Sequence, residues 1–184
     1  MNTSWIYLLG VLLFFVPSLK AKNAAGGRVG DWTKMSMMPV CFEGRNNRYG
    51  HFVNMGESKL VAAIKLVYKS GKIRCVSNVA YDSRWGCHHY SSLVNHPLNV
   101  VITDQEDNVI YPASKYFKTS NLWYYLPGTD DLLSDELVFV NYGTPFYLEQ
   151  YRQLRVWYGE DLKNSAEGDN QGRVCVDVYA KFYD

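Results

Sequence analysis

The C-terminal segment Arg173–Phe182 most constrains the fold of this 184-residue chain. Its apolar residues alternate strictly with their neighbours, at Val174, Val176, Val178, Ala180 and Phe182. A period of two is typical of a β-strand that buries one face against a core. The segment therefore predicts a long strand in a sheet with one solvent-facing side.

Eight further apolar runs are short and are separated by turn residues about every ten positions. The strands that these runs predict are Leu60–Tyr68, Ile73–Val79, Leu98–Thr103, Val109–Tyr111, Leu122–Leu126, Glu136–Asn141, Pro145–Leu148 and Leu154–Tyr158. Ser70-Gly71 and Asp104–Asn108 are predicted hairpin turns, and the 15 Tyr, 8 Phe and 5 Trp also favour strands. The pattern predicts an all-β fold, an antiparallel β-sandwich that is jelly-roll-like.

The N-terminus begins with an apolar run from Trp5 to Val16 that ends at Pro17-Ser18. A membrane span needs about 20 such residues, so this run is too short to cross a bilayer. We predict a secretory signal peptide over residues 1–21, cleaved near 18–21, and a secreted, extracellular product without a membrane anchor. The Gly-rich residues 22–35 are a predicted flexible arm, and residues 36–184 a single β-sandwich domain.

The chain has four cysteines, Cys41, Cys75, Cys87 and Cys175. An even number in an oxidising compartment favours two disulfides, and no C-x-x-C spacing suggests zinc or redox chemistry. Three connectivities are open. We favour Cys75–Cys87, which closes a local loop, and Cys41–Cys175, which joins the first strand to the last, so that the sandwich is disulfide-stapled.

The formal net charge of +1 argues against a nucleic-acid binder and against a strongly acidic mineral-nucleating protein. The charge is unevenly distributed: residues 1–84 contain twelve Lys or Arg and four acids, and residues 85–184 contain seven and fourteen. Two interpretations of the early basic residues stay open, an ordinary solvated strand face or a surface for sulfated glycans and acidic matrix. These residues are Lys59, Lys65, Lys69, Lys72, Arg74 and Arg84.

Motifs for catalysis are missing from the sequence. It contains no G-x-S-x-G, no H-E-x-x-H and no glycine-rich phosphate loop. His88 and His89 are adjacent, and adjacent side chains of a strand point to opposite faces. We therefore expect a non-enzymatic protein, with a secreted hydrolase as the least favoured alternative.

The segment Glu160–Asn170 is rich in oxygen-bearing side chains, and four of them are carboxylates. Calcium takes six to eight oxygen ligands in flexible geometry, which a loop between strands can supply. The spacing does not match an EF-hand. Two interpretations remain, a calcium-binding loop and a solvated polar loop.

The C-terminal blocks Leu154–Leu162 and Glu167–Ala180 resemble the corresponding part of small secreted cnidarian proteins, some of them from the coral skeletal organic matrix. Upstream, Lys65–Gly71, Trp85-Gly86-Cys87 and Ser120–Gly128 carry the same resemblance. It implies an extracellular matrix protein with a role in biomineralization.

The same C-terminal end is similar to calcium-dependent galactose-binding jelly-roll lectins, which have an acidic loop, an Asp-Asn or Asn-Asn pair, a Gly and an alternating final strand. This similarity implies that Asp161, Asp169 and Asn170 are calcium ligands. We further expect a ligand-binding role for three neighbouring residues, Asn164, Glu167 and Tyr158.

Together these features lead to the hypothesis of a secreted extracellular matrix protein that binds glycans with calcium as a cofactor. The expected partners are matrix glycans or matrix proteins. The alternative is a structural matrix component that packs through its tyrosines and basic strands, without calcium or sugar.

Overall fold

A computed structural model describes residues 29–184. The predicted signal peptide and residues 22–28 of the predicted arm lie outside the described residues. The strands are β1 Thr33–Lys34, β2 Val40–Glu43, β3 Gly50–Val53, β4 Lys59–Arg74, β5 Val100–Thr103, β6 Val109–Tyr111, β7 Glu136–Val140, β8 Phe146–Leu148, β9 Gln153–Tyr158 and β10 Gln171–Phe182. The helices are α1 Gly159–Lys163 and two 3₁₀ helices, Val79–Tyr81 and Ser114–Tyr116.

The strands form two antiparallel sheets. The larger sheet has the order β1-β10-β4-β7, with β2 also paired to β10 and β8 also paired to β4, and the smaller has the order β3-β9-β5-β6. Apolar side chains of both sheets form one buried core. The predicted all-β, antiparallel, disulfide-stapled sandwich is confirmed.

Strand β10 lies between β4 on one side and β1 and β2 on the other. The side chains of Val174, Val176, Val178 and Ala180 are fully buried, as their alternation predicts. Burial of each valine side chain stabilises the fold by about 1.5–3 kcal/mol. The strand that starts immediately after the acidic segment is thus anchored in the core.

One predicted turn is wrong, because its residues lie within strand β4. Ser70-Gly71 does not reverse the chain; it continues β4 and pairs with Cys175 and Val174 of β10. Gly71 has φ +89°, and a Cβ there would lie 2.0 Å from the carbonyl oxygen of Arg173. The glycine therefore permits a close approach of two strands at a bulge rather than a hairpin.

The other predicted turn, Asp104–Asn108, is confirmed, because β5 and β6 pair across it. The predicted strand Leu122–Leu126 is wrong: only Tyr124 bridges neighbouring backbone, at Leu98 and Phe117. Leu122 has φ +65°, which interrupts an extended chain at that point.

Both favoured disulfides are present. Cys41 of β2 lies directly opposite Cys175 of β10 and is bonded to it, and Cys75 is bonded to Cys87. The first bond joins strands 134 positions apart, and the second closes a local loop of 12.

Residues 29–35 of the predicted arm lie against the larger sheet. Val29 bridges Tyr183, and β1 pairs with Tyr179 and Ala180 of β10. Within residues 29–184, no helix is long and apolar enough to cross a membrane.

Candidate functional site

The acidic segment connects β9 to β10. Its first residues form the short helix α1 rather than a loop, and Asn164, with φ +47°, ends that helix. Glu160 and Asp161 are both buried, although they are charged. Buried carboxylates need partners, and these two have different ones.

Asp161 contacts the turn between β2 and β3. Its Oδ1 accepts the backbone N–H of Asn47 (2.7 Å), and its Oδ2 accepts that of Arg48 (3.0 Å). Glu167 Oε2 accepts the N–H of Asn46 at 3.1 Å. The pKa of Asp161 is raised to about 6, mainly by burial and also by the neighbouring Glu167, while the N–H groups of Asn47 and Arg48 act in the opposite direction. These contacts hold the turn against the acidic segment.

Glu160 makes its contacts on another side. Its Oε1 accepts from Trp123 Nε1 (3.0 Å) and its Oε2 from Asn170 Nδ2 (3.1 Å). Burial raises the pKa of Glu160, and the hydrogen bonds from Trp123 and Asn170 act in the opposite direction. Asn170 Nδ2 also donates to the Gly44 carbonyl at 3.0 Å, whereas its buried Oδ1 has no hydrogen-bond partner among the described residues.

A depression of about 280 Å³ borders the acidic segment on the Glu160 side. Three loops contribute polar and aromatic side chains to its wall. They include Tyr90, Ser92, Thr119, Ser120, Asn121, Trp123, Glu160 and Asp169. Hydroxyl, amide and carboxylate groups can hydrogen-bond to sugar hydroxyls, and aromatic rings can pack against the apolar face of a sugar. This depression is the candidate glycan-binding site.

The structure separates the predicted site residues. Asp169 and Glu160 border the depression, and Asn170 contacts Glu160, but Asp161 faces the turn on the other side. Asn164 is exposed at the end of α1. Within residues 29–184, no three His, Cys, Asp or Glu side chains come close enough together to hold a metal.

Tyr158 lies in the core. Its side chain is fully buried, its hydroxyl donates to the Gly86 carbonyl at 3.2 Å, and burial raises its pKa well above the usual value. The ring is therefore not available to stack on a sugar. Nothing in the sequence indicated this burial, because Tyr158 lies at the end of β9, where buried and less buried residues no longer alternate.

Other residues of the depression were not predicted. Tyr90 and Ser92 come from the loop after Cys87, and Thr119 from the loop before Trp123. Ser120 and Asn121 belong to a segment that carried the cnidarian resemblance, which was the one available signal for them.

Two further turns are rich in acids, Asp104–Asp107 and Asp130–Glu136, and contacts within the protein account for their carboxylates. Asp104 Oδ1 accepts two N–H groups of its own turn, and Asp107 Oδ1 accepts from Arg155 and Trp157. Asp130 accepts the N–H groups of Leu132 and Leu133; the bond from Leu133 is the main reason for its lowered pKa.

Comparisons with known proteins give one informative match. No protein-family model and no curated protein sequence matches the chain. Among solved structures, the lectin AJLec from the sea anemone Anthopleura japonica matches with a TM-score of 0.76 and 37% identity, over 83% of this chain and 98% of that one. The chain belongs to the family of this sea anemone lectin.

Membership in the AJLec family confirms the cnidarian and lectin-like relation that the C-terminal blocks predicted. A lectin belongs to a non-enzymatic class of proteins, in line with the expectation of a binding protein. The association with a coral skeleton stays a prediction.

Proposed function

We propose that this protein is a secreted, non-enzymatic lectin that binds glycans of the extracellular matrix with calcium. The observation that carries the proposal is the depression in which Glu160 and Asp169 face hydroxyl, amide and aromatic side chains. Membership in the AJLec family supports glycan binding. The two disulfides are compatible with secretion, and the resemblance to skeletal matrix proteins supports a mineralised matrix as its location.

The donor atoms on the Glu160 side fit calcium. Asn170 Oδ1 is a buried oxygen without a hydrogen-bond partner among the described residues, and Glu160 and Asp169 supply carboxylates at the border of the depression. Burial is the main reason for the raised pKa of Glu160, and the charge of Asp169 adds to it, so a divalent cation would relieve a repulsion already present. Asp161, the remaining predicted ligand, contacts the turn on the other side of the acidic segment and is not part of this donor set.

Calcium titration followed by thermal unfolding tests the metal. At about 100 times its dissociation constant, calcium should stabilise the protein by about 2.7 kcal/mol. Asp169→Ala should abolish the stabilisation, whereas Asp161→Asn should retain it, because Asp161 faces the other side of the acidic segment. Glu149→Ala, which changes an exposed acid outside the segment, is the matched control. The absence of any shift in wild-type protein would overturn the calcium proposal.

A glycan array read with calcium and with chelator tests the lectin. We expect binding to galactose-containing glycans that the chelator abolishes. Binding that persists in chelator would leave a calcium-independent lectin, and an array without any bound glycan would contradict the proposed function.

A second candidate function is a structural matrix component without sugar or calcium. Five exposed tyrosines favour it, namely Tyr116, Tyr125, Tyr142, Tyr147 and Tyr151. Retention in an isolated matrix fraction that is insensitive to chelator and to competing sugar would support this function over the lectin.

A further inference from the structure

A second depression lies on the opposite border of the acidic segment. It has a volume of about 470 Å³ and lies between the turn after β2 and the start of β10. Its wall includes Arg45, Arg48 and Arg173, with Glu43 as the one acid among its lining residues. We call this depression the arginine cleft.

The charge of the arginine cleft is only partly neutralised. Glu43 lies 3.6 Å from Arg48, and Arg45 donates one hydrogen bond to the Gly168 carbonyl. Arg173 is exposed and makes no ion pair with any residue of the described part of the chain. Its cross-strand neighbours are Lys72 on β4, another exposed cation, and Glu43 on β2. Glu43 is thus one carboxylate beside several cations, and the local charge stays positive.

The cations that the sequence analysis singled out differ from these. Four of the six are paired with carboxylates: Lys65 with Glu136, Lys69 with Asp177, Arg74 with Asp82 and Arg84 with Asp135. Of the six, Lys59 and Lys72 form no ion pair within residues 29–184, and Lys72 lies opposite Arg173 of the arginine cleft.

The backbone leaves the cleft open. Gly172 has φ +99°, and a Cβ there would lie 2.1 Å from the Lys72 carbonyl oxygen, so that β4 and β10 approach closely beside the arginines. The volume is within the range of small-molecule sites. Guanidinium groups are planar and present forked donors that match the oxygens of sulfate or carboxylate.

The arginine cleft and the candidate glycan site lie on two sides of the acidic segment. Arg45 contacts Gly168 and Asn46 contacts Glu167, so the turn that carries Arg45 and Arg48 is attached to the segment that carries Asp169.

We propose that the arginine cleft binds the sulfate ester of an acidic glycan. This inference rests on the proposed glycan binding and specifies its substrate class. A sulfate ester is permanently anionic and has three terminal oxygens, one more than a carboxylate, so it can accept from several guanidinium groups at once.

The test measures binding of the full chain to a sulfated galactan oligosaccharide, to the same oligosaccharide after desulfation, and to an unsulfated uronate oligosaccharide. We expect wild-type protein to bind the sulfated probe about tenfold or more tightly than the desulfated one, because hydrogen bonds to charged groups are the strong ones. The preference should decrease with added salt.

The double variant Arg45→Gln/Arg173→Gln should lose the preference for sulfate and still bind the desulfated probe. Lys59→Gln/Lys115→Gln removes the same charge away from both depressions and should keep the preference. Arg173→Lys keeps the positive charge but lacks the forked guanidinium donors. Its preference for sulfate should lie between those of the wild-type protein and the double variant. Thermal unfolding shows whether each variant is folded.

The outcomes separate the two proposals. A double variant that keeps the preference overturns the sulfate site, as does equal binding of the uronate probe. If wild-type protein binds only the sulfated probe and the double variant loses it, the arginine cleft stands and binding of unsulfated glycan at the depression beside Glu160 falls. Failure to bind any of the three probes overturns both.

Discussion

Glu160 and Asp161 are adjacent in the chain, but their carboxylates make contacts with different parts of the molecule. Glu160 contacts Trp123 and Asn170 beside the candidate glycan site, and Asp161 contacts the turn after β2. That both residues are acidic is evident from the sequence alone. Their partners were not, because Asp161 and Asn47 are 114 positions apart and no local pattern connects them.

The pair Asp161 and Glu167 leads to a prediction about pH. Burial and the neighbouring Glu167 raise the pKa of Asp161 from 3.8 to about 6. The folded chain therefore takes up a proton at higher pH than the unfolded chain, and the free energy of unfolding should decrease as pH rises from about 4 to about 6. Glu167→Gln removes the neighbouring charge and should weaken this dependence.

Urea unfolding at a series of pH values, with chelator present, measures that dependence. Glu149→Gln is exposed and should retain the wild-type pH dependence. If Glu167→Gln has the same slope as wild-type protein, the charge of Glu167 does not act on Asp161.

At the scale of elements, a long alternation or a neighbouring turn decided which strands the sequence could predict. Strand β10 has twelve residues, enough for its alternation to be unambiguous. The three-residue β6 was predicted because it follows the turn Asp104–Asn108, whereas β2 and β3, with four residues each, were missed because neither follows a predicted turn. The hairpin predicted at Gly71 was wrong because a glycine can serve either a turn or a close approach of strands.

The close approach of β4 and β10 at Gly71 leads to a prediction about β4. Gly71→Ala places a methyl group against the Arg173 carbonyl in a backbone conformation with positive φ. We expect it to lower the free energy of unfolding by about 3 kcal/mol or more. Gly128→Ala has a positive φ of +76° without any atom within 4 Å of the new Cβ, and it should cost about 1 kcal/mol.

Urea unfolding of both variants separates conformational strain from the steric clash. If both variants lose the same free energy of unfolding, β4 and β10 move apart around the new methyl group without loss of stability. That result would contradict the tight packing of the two strands at Gly71.

At the scale of the whole molecule, the disulfides connect regions that the sequence shows only as separate. Cys41–Cys175 fixes β2 against β10, at the two ends of the domain. The even number of cysteines predicted two bonds, and the idea that a sandwich returns its last strand beside its first favoured this pairing. The arginine cleft depends on the same neighbourhood, and its composition could be recognised only after β2 and β10 were adjacent.

The two disulfides should differ in their contribution to stability. In the chain-entropy model, a bond that closes a longer loop removes more entropy from the unfolded chain. The Cys41–Cys175 bond spans 134 positions and Cys75–Cys87 spans 12, so replacing the first pair by alanines should cost about 5 kcal/mol and the second about 3 kcal/mol. Denaturant unfolding of the two double variants measures the difference. A larger loss for the short loop would show that packing around the fully buried Cys87 outweighs loop entropy.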